Sequence, residues 1–291
     1  MKYYGALEAG GTKMVLSIFS ENGEILDHKS VPTLKPEETM PVMIDYFKQH
    51  DLSALGIGCF GPLDLNETSP TFGCITATPK LAWRNYPIRQ IFADVLGIPI
   101  GIDTDVNGAA LAELQLGAAK GLESCVYITI GTGIGGGVVM GGKPVHGMMH
   151  PELGHQLVVP DRNDPTPEGF CPYHKHCLEG LAAGTALQKR WGVPGKELPQ
   201  NHIAWVLEAN YLAQMCHNAI MTISPQKIIL GGGVMNQSFL LEMVRAKTIE
   251  FMGGYISSKE VENKLSDYIV APGLGVDSGI TGAWLLGKAA E

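Results

Sequence analysis

One pattern constrains this chain more than any other, and it occurs twice: a short apolar strand, a glycine-rich turn and a returning strand. The first copy runs Tyr4–Glu8, Gly10-Gly11, Lys13–Phe19, with a third alternating run, Ile25–Val31, after Asn22-Gly23. The second runs Val126–Ile130, a glycine turn over 131–137, and Gly137–Met140. Glycine dipeptides between alternating runs are hairpin signals. Each copy opens a stretch in which strands and helices alternate, so the pattern predicts two related α/β domains, residues 1–117 and 118–291. No low-complexity linker divides them, so they are expected to pack around a shared cleft, with the last helix a candidate to return to the first domain.

The rest of the pattern fills in this frame. Helical spacing is expected over 36–51, 87–96, Val106–Gly117, 179–191, 203–223, 236–251 and 275–289, with strands at Leu55–Cys59, Ile98–Ile102 and Lys227–Leu230. Residues 143–177 lack periodicity and hold most of the histidines; a loop this long in a compact domain is usually functional.

Composition narrows the function. Among 291 residues, 21 Lys+Arg face 29 Asp+Glu, a formal charge of −8. That balance leaves no cationic footprint for nucleic acid. No apolar run approaches a membrane span, and the opening MKYYGALEAGG has no apolar signal core. A cytoplasmic protein with neither nucleic-acid nor membrane partners is expected.

Gly131-Thr132-Gly133-Ile134-Gly135-Gly136 matches the dinucleotide fingerprint, but that fingerprint needs a helix next, and a strand follows. No GxxxxGK[ST] is present either. What remains are hairpins whose N–H groups and the Thr132 hydroxyl can surround phosphate oxygens. Gly10-Gly11-Thr12 offers the same chemistry, and Gly231-Gly232-Gly233 follows another strand. Two hairpins can clasp a triphosphate while the third glycine turn lies against adenine, with Glu8 holding Mg²⁺ through water.

The strand ending at Ile102 delivers Asp103-Thr104-Asp105 to a helix start. Asp103 reads as structural, and Thr104 or Asp105 as N-caps. Asp105 also suits the carboxylate that accepts a hydroxyl proton in phosphoryl transfer. Asn107 orients the same group or supports the helix start. In the long loop, Cys171-Pro-Tyr-His174-Lys-His176-Cys177, with His155 upstream, offers a Cys₂His₂ set for one structural zinc. His176 competes with His174 for its place.

Glu8-Ala-Gly-Gly-Thr-Lys13, Thr104-Asp105-Val-Asn107, Ile130–Gly136 and the His/Cys loop together resemble the ROK sugar kinases, members of the actin-like ATPase superfamily. The resemblance runs nearly the whole length in the family's order. It implies two RNase H-like domains around a central cleft holding MgATP and a hexose, Asp105 as general base, and a homodimer. By the same resemblance, Glu8, Gly10, Gly11, Thr12, Lys13, Gly131, Thr132, Gly133 and Gly231–Gly233 bind ATP. Thr104, Lys80, Asn107, Glu152, His155 and Glu179 bind sugar, and His155, Cys171, His174 and Cys177 hold zinc.

The chain departs from the glucose-phosphorylating pattern at Thr104 (usually Asn), at His150-Pro151-Glu152 (usually Ala-Gly-Glu) and at Lys80 (usually Asn). These substitutions resemble the fructokinase branch and imply conversion of D-fructose to fructose 6-phosphate. Mannose, glucose or an N-acylmannosamine are the alternative acceptors. A sugar-sensing regulator without a DNA-binding domain is the non-enzyme alternative; the repressors of the family carry an N-terminal helix-turn-helix, for which the early first strand leaves no room.

Overall fold

Alternating and fully apolar runs set the strands. In β2 (Lys13–Ser20), every residue after Lys13 is buried, as a strand covered on both faces requires. It pairs antiparallel with β1 (Tyr3–Ala9) and with β3 (Ile25–Pro32). β3 is exposed and carries Asp27, His28 and Lys29, charges that protect an open sheet edge. Helix α1 (Pro36–Lys48) carries the chain to β4 (Ala54–Cys59), parallel to β1; α2 (Ile88–Leu96) carries it to β5 (Ile100–Thr104), parallel to β4. The sheet order is β3-β2-β1-β4-β5, and α3 (Asp105–Gln115) follows directly.

The computed structural model describes residues 2–291, which divide into two units. The first holds the chain up to Gln115, Lys143–Pro151 with the two-residue strand β8 (Lys143–Pro144), and Asp277–Glu291. The second holds Leu116–Gly142 and Glu152–Val276. In the second, β6 (Cys125–Ile130) pairs antiparallel with β7 (Ile134–Met140). β9 (Ile228–Gly231) lies parallel to β6, and β10 (Ile269–Val270) parallel to β9. These strands repeat the first unit's order, with β6, β7, β9 and β10 in the places of β1, β2, β4 and β5. The helices of this unit are α4 (Leu178–Ala182), α5 (Gly184–Trp191), α6 (Ile203–Thr222), α7 (Leu240–Met252) and α8 (Lys259–Glu262).

In the first unit, α9 (Ser278–Ala290) lies directly on the sheet. A Cβ on Gly56 of β4 would strike the Ala283 carbonyl, and one on Gly282 would strike the backbone of Gly108 in α3. Trp284 stacks on Phe19 at 5.5 Å. No helix among the described residues is long and apolar enough to cross a membrane.

Four expectations from sequence need correction. The turn expected over 131–137 spans only Gly131–Gly133, because Gly135–Gly137 belong to β7. Gly136 is glycine for packing: a Cβ there would sit 2.8 Å from Ile128 and Leu153. The helix expected over 179–191 is two helices broken at Ala183, where ψ is 155°. The break lets the Gly184 N–H donate to the Gly131 carbonyl at 2.8 Å, so tertiary bonding overrides helical propensity. The helix expected over 236–251 is a 3-10 turn, Gly233–Asn236, followed by α7. The strand expected at Ile98–Ile102 is shifted to Ile100–Thr104, since parallel pairing with β4 sets its register.

Candidate active site

Asp103 and Thr104 end β5, and Asp105 begins α3. The Thr104 hydroxyl accepts the Asn107 N–H at 3.1 Å and caps the helix. Asp103 is buried, and its carboxylate is fully engaged. Oδ1 accepts from the Thr104 N–H (2.7 Å) and the Asn107 amide (2.8 Å), and Oδ2 meets His146 Nε2 at 2.9 Å. That hydrogen bond raises the His146 pKa. Asn107 therefore supports the helix start through Asp103. The sequence reading did not single out His146, whose partner lies 43 residues away; nothing local marks such a pair.

Asp105 differs from Asp103. Its carboxylate accepts only from backbone N–H groups, Oδ1 taking that of Val106 at 3.0 Å, and no cation pairs with it among the described residues. Burial pushes its pKa up to about 6, against the pull of backbone hydrogen bonds. Glu8, in β1, is pushed up to about 7, first by burial and then by the charge of Asp105, with Lys13 opposing. Its carboxylate lies against the first turn of α9, where a Cβ on Gly279 would be 2.6 Å from it. Glu8, a buried carboxylate destabilised further by the charge of Asp105, is a donor that suits a hard divalent cation.

Two residues beyond Glu8 the first glycine hairpin begins. The Gly10 N–H donates to the Lys13 carbonyl at 3.0 Å, and a Cβ on Gly10 would sit 2.7 Å from that oxygen. Thr33 ties the turn down: its hydroxyl donates to the Gly10 carbonyl (2.8 Å) and its N–H to the Thr12 carbonyl (3.0 Å). Gly11, Thr12 and Lys13 are exposed. Lys80 reaches this turn from the other side, as described below. His150 is buried and its Nε2 accepts the Leu63 N–H at 3.0 Å; burial lowers its pKa, which keeps it a neutral acceptor.

In the second unit, the hairpin at Gly131–Gly133 is held by the Gly184 N–H and by the Thr185 hydroxyl, which donates to the Thr132 carbonyl at 2.8 Å. Glu179 packs against the same hairpin, Oε2 accepting the Ile134 N–H at 3.0 Å. Glu152 leads into a 3-10 turn, Leu153–His155, and its carbonyl accepts the His155 N–H at 2.9 Å. Gly232, with φ +90°, runs so close to Ile130 that no Cβ fits, while Gly233 faces open space.

His155, Cys171, His174 and Cys177 converge, each offering one ligand atom, all within 4.8 Å of one another. His155 Nδ1 lies 3.6 Å from Cys177 Sγ and 3.9 Å from Cys171 Sγ; His174 Nδ1 is also 3.9 Å from Cys171 Sγ. Such spacings, two thiols with two imidazoles, fit a tetrahedral zinc with bonds of about 2.0–2.3 Å. His176 is not in the group. The tight turn that delivers His174 is closed by paired backbone bonds between Cys171 and Lys175, at 3.2 and 3.0 Å.

Each unit's mixed sheet, hairpin first and parallel strands after, defines the α/β fold of the actin-like ATPase and hexokinase class. The chain belongs to the ROK family, whose profile matches residues 4–290. It is 44% identical to the fructokinase of Pediococcus pentosaceus over 98% of both chains. It is 43% identical to the fructokinase of Zymomonas mobilis, over all of this chain and 98% of that one. The ROK hexokinase of Thermus thermophilus superposes with a TM-score of 0.80 at 28% identity, covering 99% of this chain and 98% of that one.

Proposed function

We propose that this chain is an ATP-dependent fructokinase that converts D-fructose to fructose 6-phosphate, with Asp105 as general base. The observation that carries the chemistry is Asp105 itself, a half-buried carboxylate without a cationic partner at the junction of β5 and α3, in a chain 43–44% identical to fructokinases. Its pKa of about 6 leaves it ionised at neutral pH yet basic enough to take a proton. The C6 hydroxyl oxygen of fructose attacks the γ-phosphorus, Asp105 accepts the hydroxyl proton, and ADP leaves with the electron pair of the broken P–O bond. Thr104 and Asn107 position Asp105 by fixing the first turn of α3.

The hairpins at Gly10–Lys13 and Gly131–Gly133 supply N–H donors to the triphosphate, and Gly231–Gly233 lies against the adenosine. Glu8 fits a role in holding Mg²⁺, whose charge, when bound, neutralises the phosphate oxygens and lowers the Glu8 pKa. Glu152 and Glu179 accept from sugar hydroxyls, Glu179 through Oε1 because Oε2 already serves Ile134. His155, Cys171, His174 and Cys177 hold one structural zinc, which, when bound, ties the turn carrying Glu152 to the start of α4 carrying Glu179.

Fructose is favoured over other hexoses by the named relatives and by Thr104, Lys80 and His150 together. The test is MgATP-dependent ADP release with fructose, mannose, glucose and N-acetylmannosamine, compared by kcat/KM. Fructose should lead by at least about tenfold, the scale of one or two lost hydrogen bonds. A leading rate with another sugar would overturn the acceptor and leave the kinase; no turnover with any would overturn both.

A further inference from the structure

Lys80 stands between the buried aromatic cluster of the first unit and its glycine hairpin. Its backbone is fastened: the N–H donates to the Thr78 hydroxyl at 3.3 Å and the carbonyl accepts the Trp83 N–H at 2.8 Å. Trp83 is fully buried against Phe60 and Tyr86, and its indole N–H donates to the Leu34 carbonyl at 2.7 Å. The next residue toward the N-terminus, Thr33, is the one that holds the Gly10 and Thr12 carbonyls. The hairpin is thus tied to Thr33 and the segment carrying Lys80, through Trp83, to the adjacent Leu34.

The stem of Lys80 leans over the turn. A Cβ built on Gly11 would lie 3.4 Å from Lys80 Cε, ordinary van der Waals contact. The side chain is half-buried, yet its ammonium makes no ion pair or hydrogen bond among the described residues. Rather than pairing with an acid, it leans over a turn whose Gly11 and Thr12 N–H groups find no protein acceptor among the described residues. Cation and free donors converge on one anionic ligand.

We propose that Lys80 is a catalytic residue that contacts the γ-phosphoryl group of ATP at the first hairpin, rather than a residue that recognises only the sugar. The inference rests on the kinase reading above. During transfer the new O–P bond to the sugar forms as the P–O bond to ADP breaks, and the equatorial oxygens carry the charge. Lys80 stays protonated throughout and stabilises those oxygens, while the hydroxyl proton goes to Asp105. A preorganised cation aimed at developing charge acts on the rate and not only on binding.

The experiment is steady-state kinetics of Lys80→Met and Lys80→Arg, with both substrates varied. Lys35→Met serves as the control for lost charge, because Lys35 is exposed at the N-cap of α1. Thermal melting is measured in parallel. Lys80→Met should lower kcat on the order of 10- to 100-fold and raise KM for MgATP. Both effects should be as large with the second-best acceptor sugar as with fructose. Lys80→Arg should recover part of kcat, and Lys35→Met should match the parent chain. A Lys80→Met that keeps kcat and the MgATP KM and raises only the fructose KM would overturn the proposal, as would an unrescued Lys80→Arg that melts like the parent. If Lys80→Met does not fold, the Arg variant and its MgATP KM decide. Failure of the parent chain to phosphorylate any sugar would instead strike the kinase reading on which the inference stands.

Discussion

Asp103 and Asp105 are two residues apart, yet one is saturated with hydrogen bonds and the other nearly bare. That asymmetry assigns them different work, and Glu8 adds a third carboxylate whose charge is unwelcome without a cation. Ordinary values for these side chains are 3.8 for Asp105 and 4.5 for Glu8, and the fold raises them to about 6 and about 7. Between those limits the folded protein binds more protons than the unfolded chain, so stability falls as pH rises from about 4 to about 7 and then levels off. Glu8→Gln should therefore stabilise the nucleotide-free protein at pH 8, by about 1–2 kcal/mol, and give no gain at pH 4, while weakening MgATP binding. Melting curves at both pH values check this; an equal gain at both, or none at pH 8, contradicts the assignment. The sequence marks Asp105 by its place after a buried strand. It does not mark His146 or the reach of Lys80, because both depend on partners brought together by the tertiary fold.

At the scale of elements, the long loop is the instructive one. Its lack of periodicity and the closeness of Cys171 to Cys177 were both legible. Which histidine completes the set was not, since both His174 and His176 lie between the two cysteines and a loose loop could present either. The turn closed by Cys171 and Lys175, with Lys175 at φ +55°, brings His174 beside the thiols and leaves His176 outside the group, which supports His174 as the proposed ligand. His174→Ala should lower zinc content from about one per chain to well below, whereas His176→Ala should keep it. Metal analysis of purified variants reads this directly; equal zinc in both, or none in the parent, rejects the assigned set. The glycine run 131–137 shows the opposite lesson. Composition alone makes it a turn, and only packing against Ile128 and Leu153 reveals that half of it is strand.

For the whole molecule, the repeat of strand, glycine hairpin and strand carried the architecture, because a hairpin followed by helix-linked parallel strands has few solutions. The two sheets share their strand order, and each places its glycine hairpin directly after its first strand. The last helix was a candidate to return to the first domain, and Asp277–Glu291 lies in the first unit; what the pattern did not mark was that Lys143–Pro151 lies there too, since its composition does not differ from its surroundings. The central claim, that this molecule transfers phosphate to a hexose with Asp105 as the base, is tested most directly by Asp105→Asn. Single-turnover phosphorylation of fructose by this variant is to be measured alongside MgATP binding by calorimetry. The account predicts a transfer rate lower by at least about 10²-fold with MgATP affinity changed no more than a few-fold. A transfer rate within a few-fold of the parent chain would contradict it.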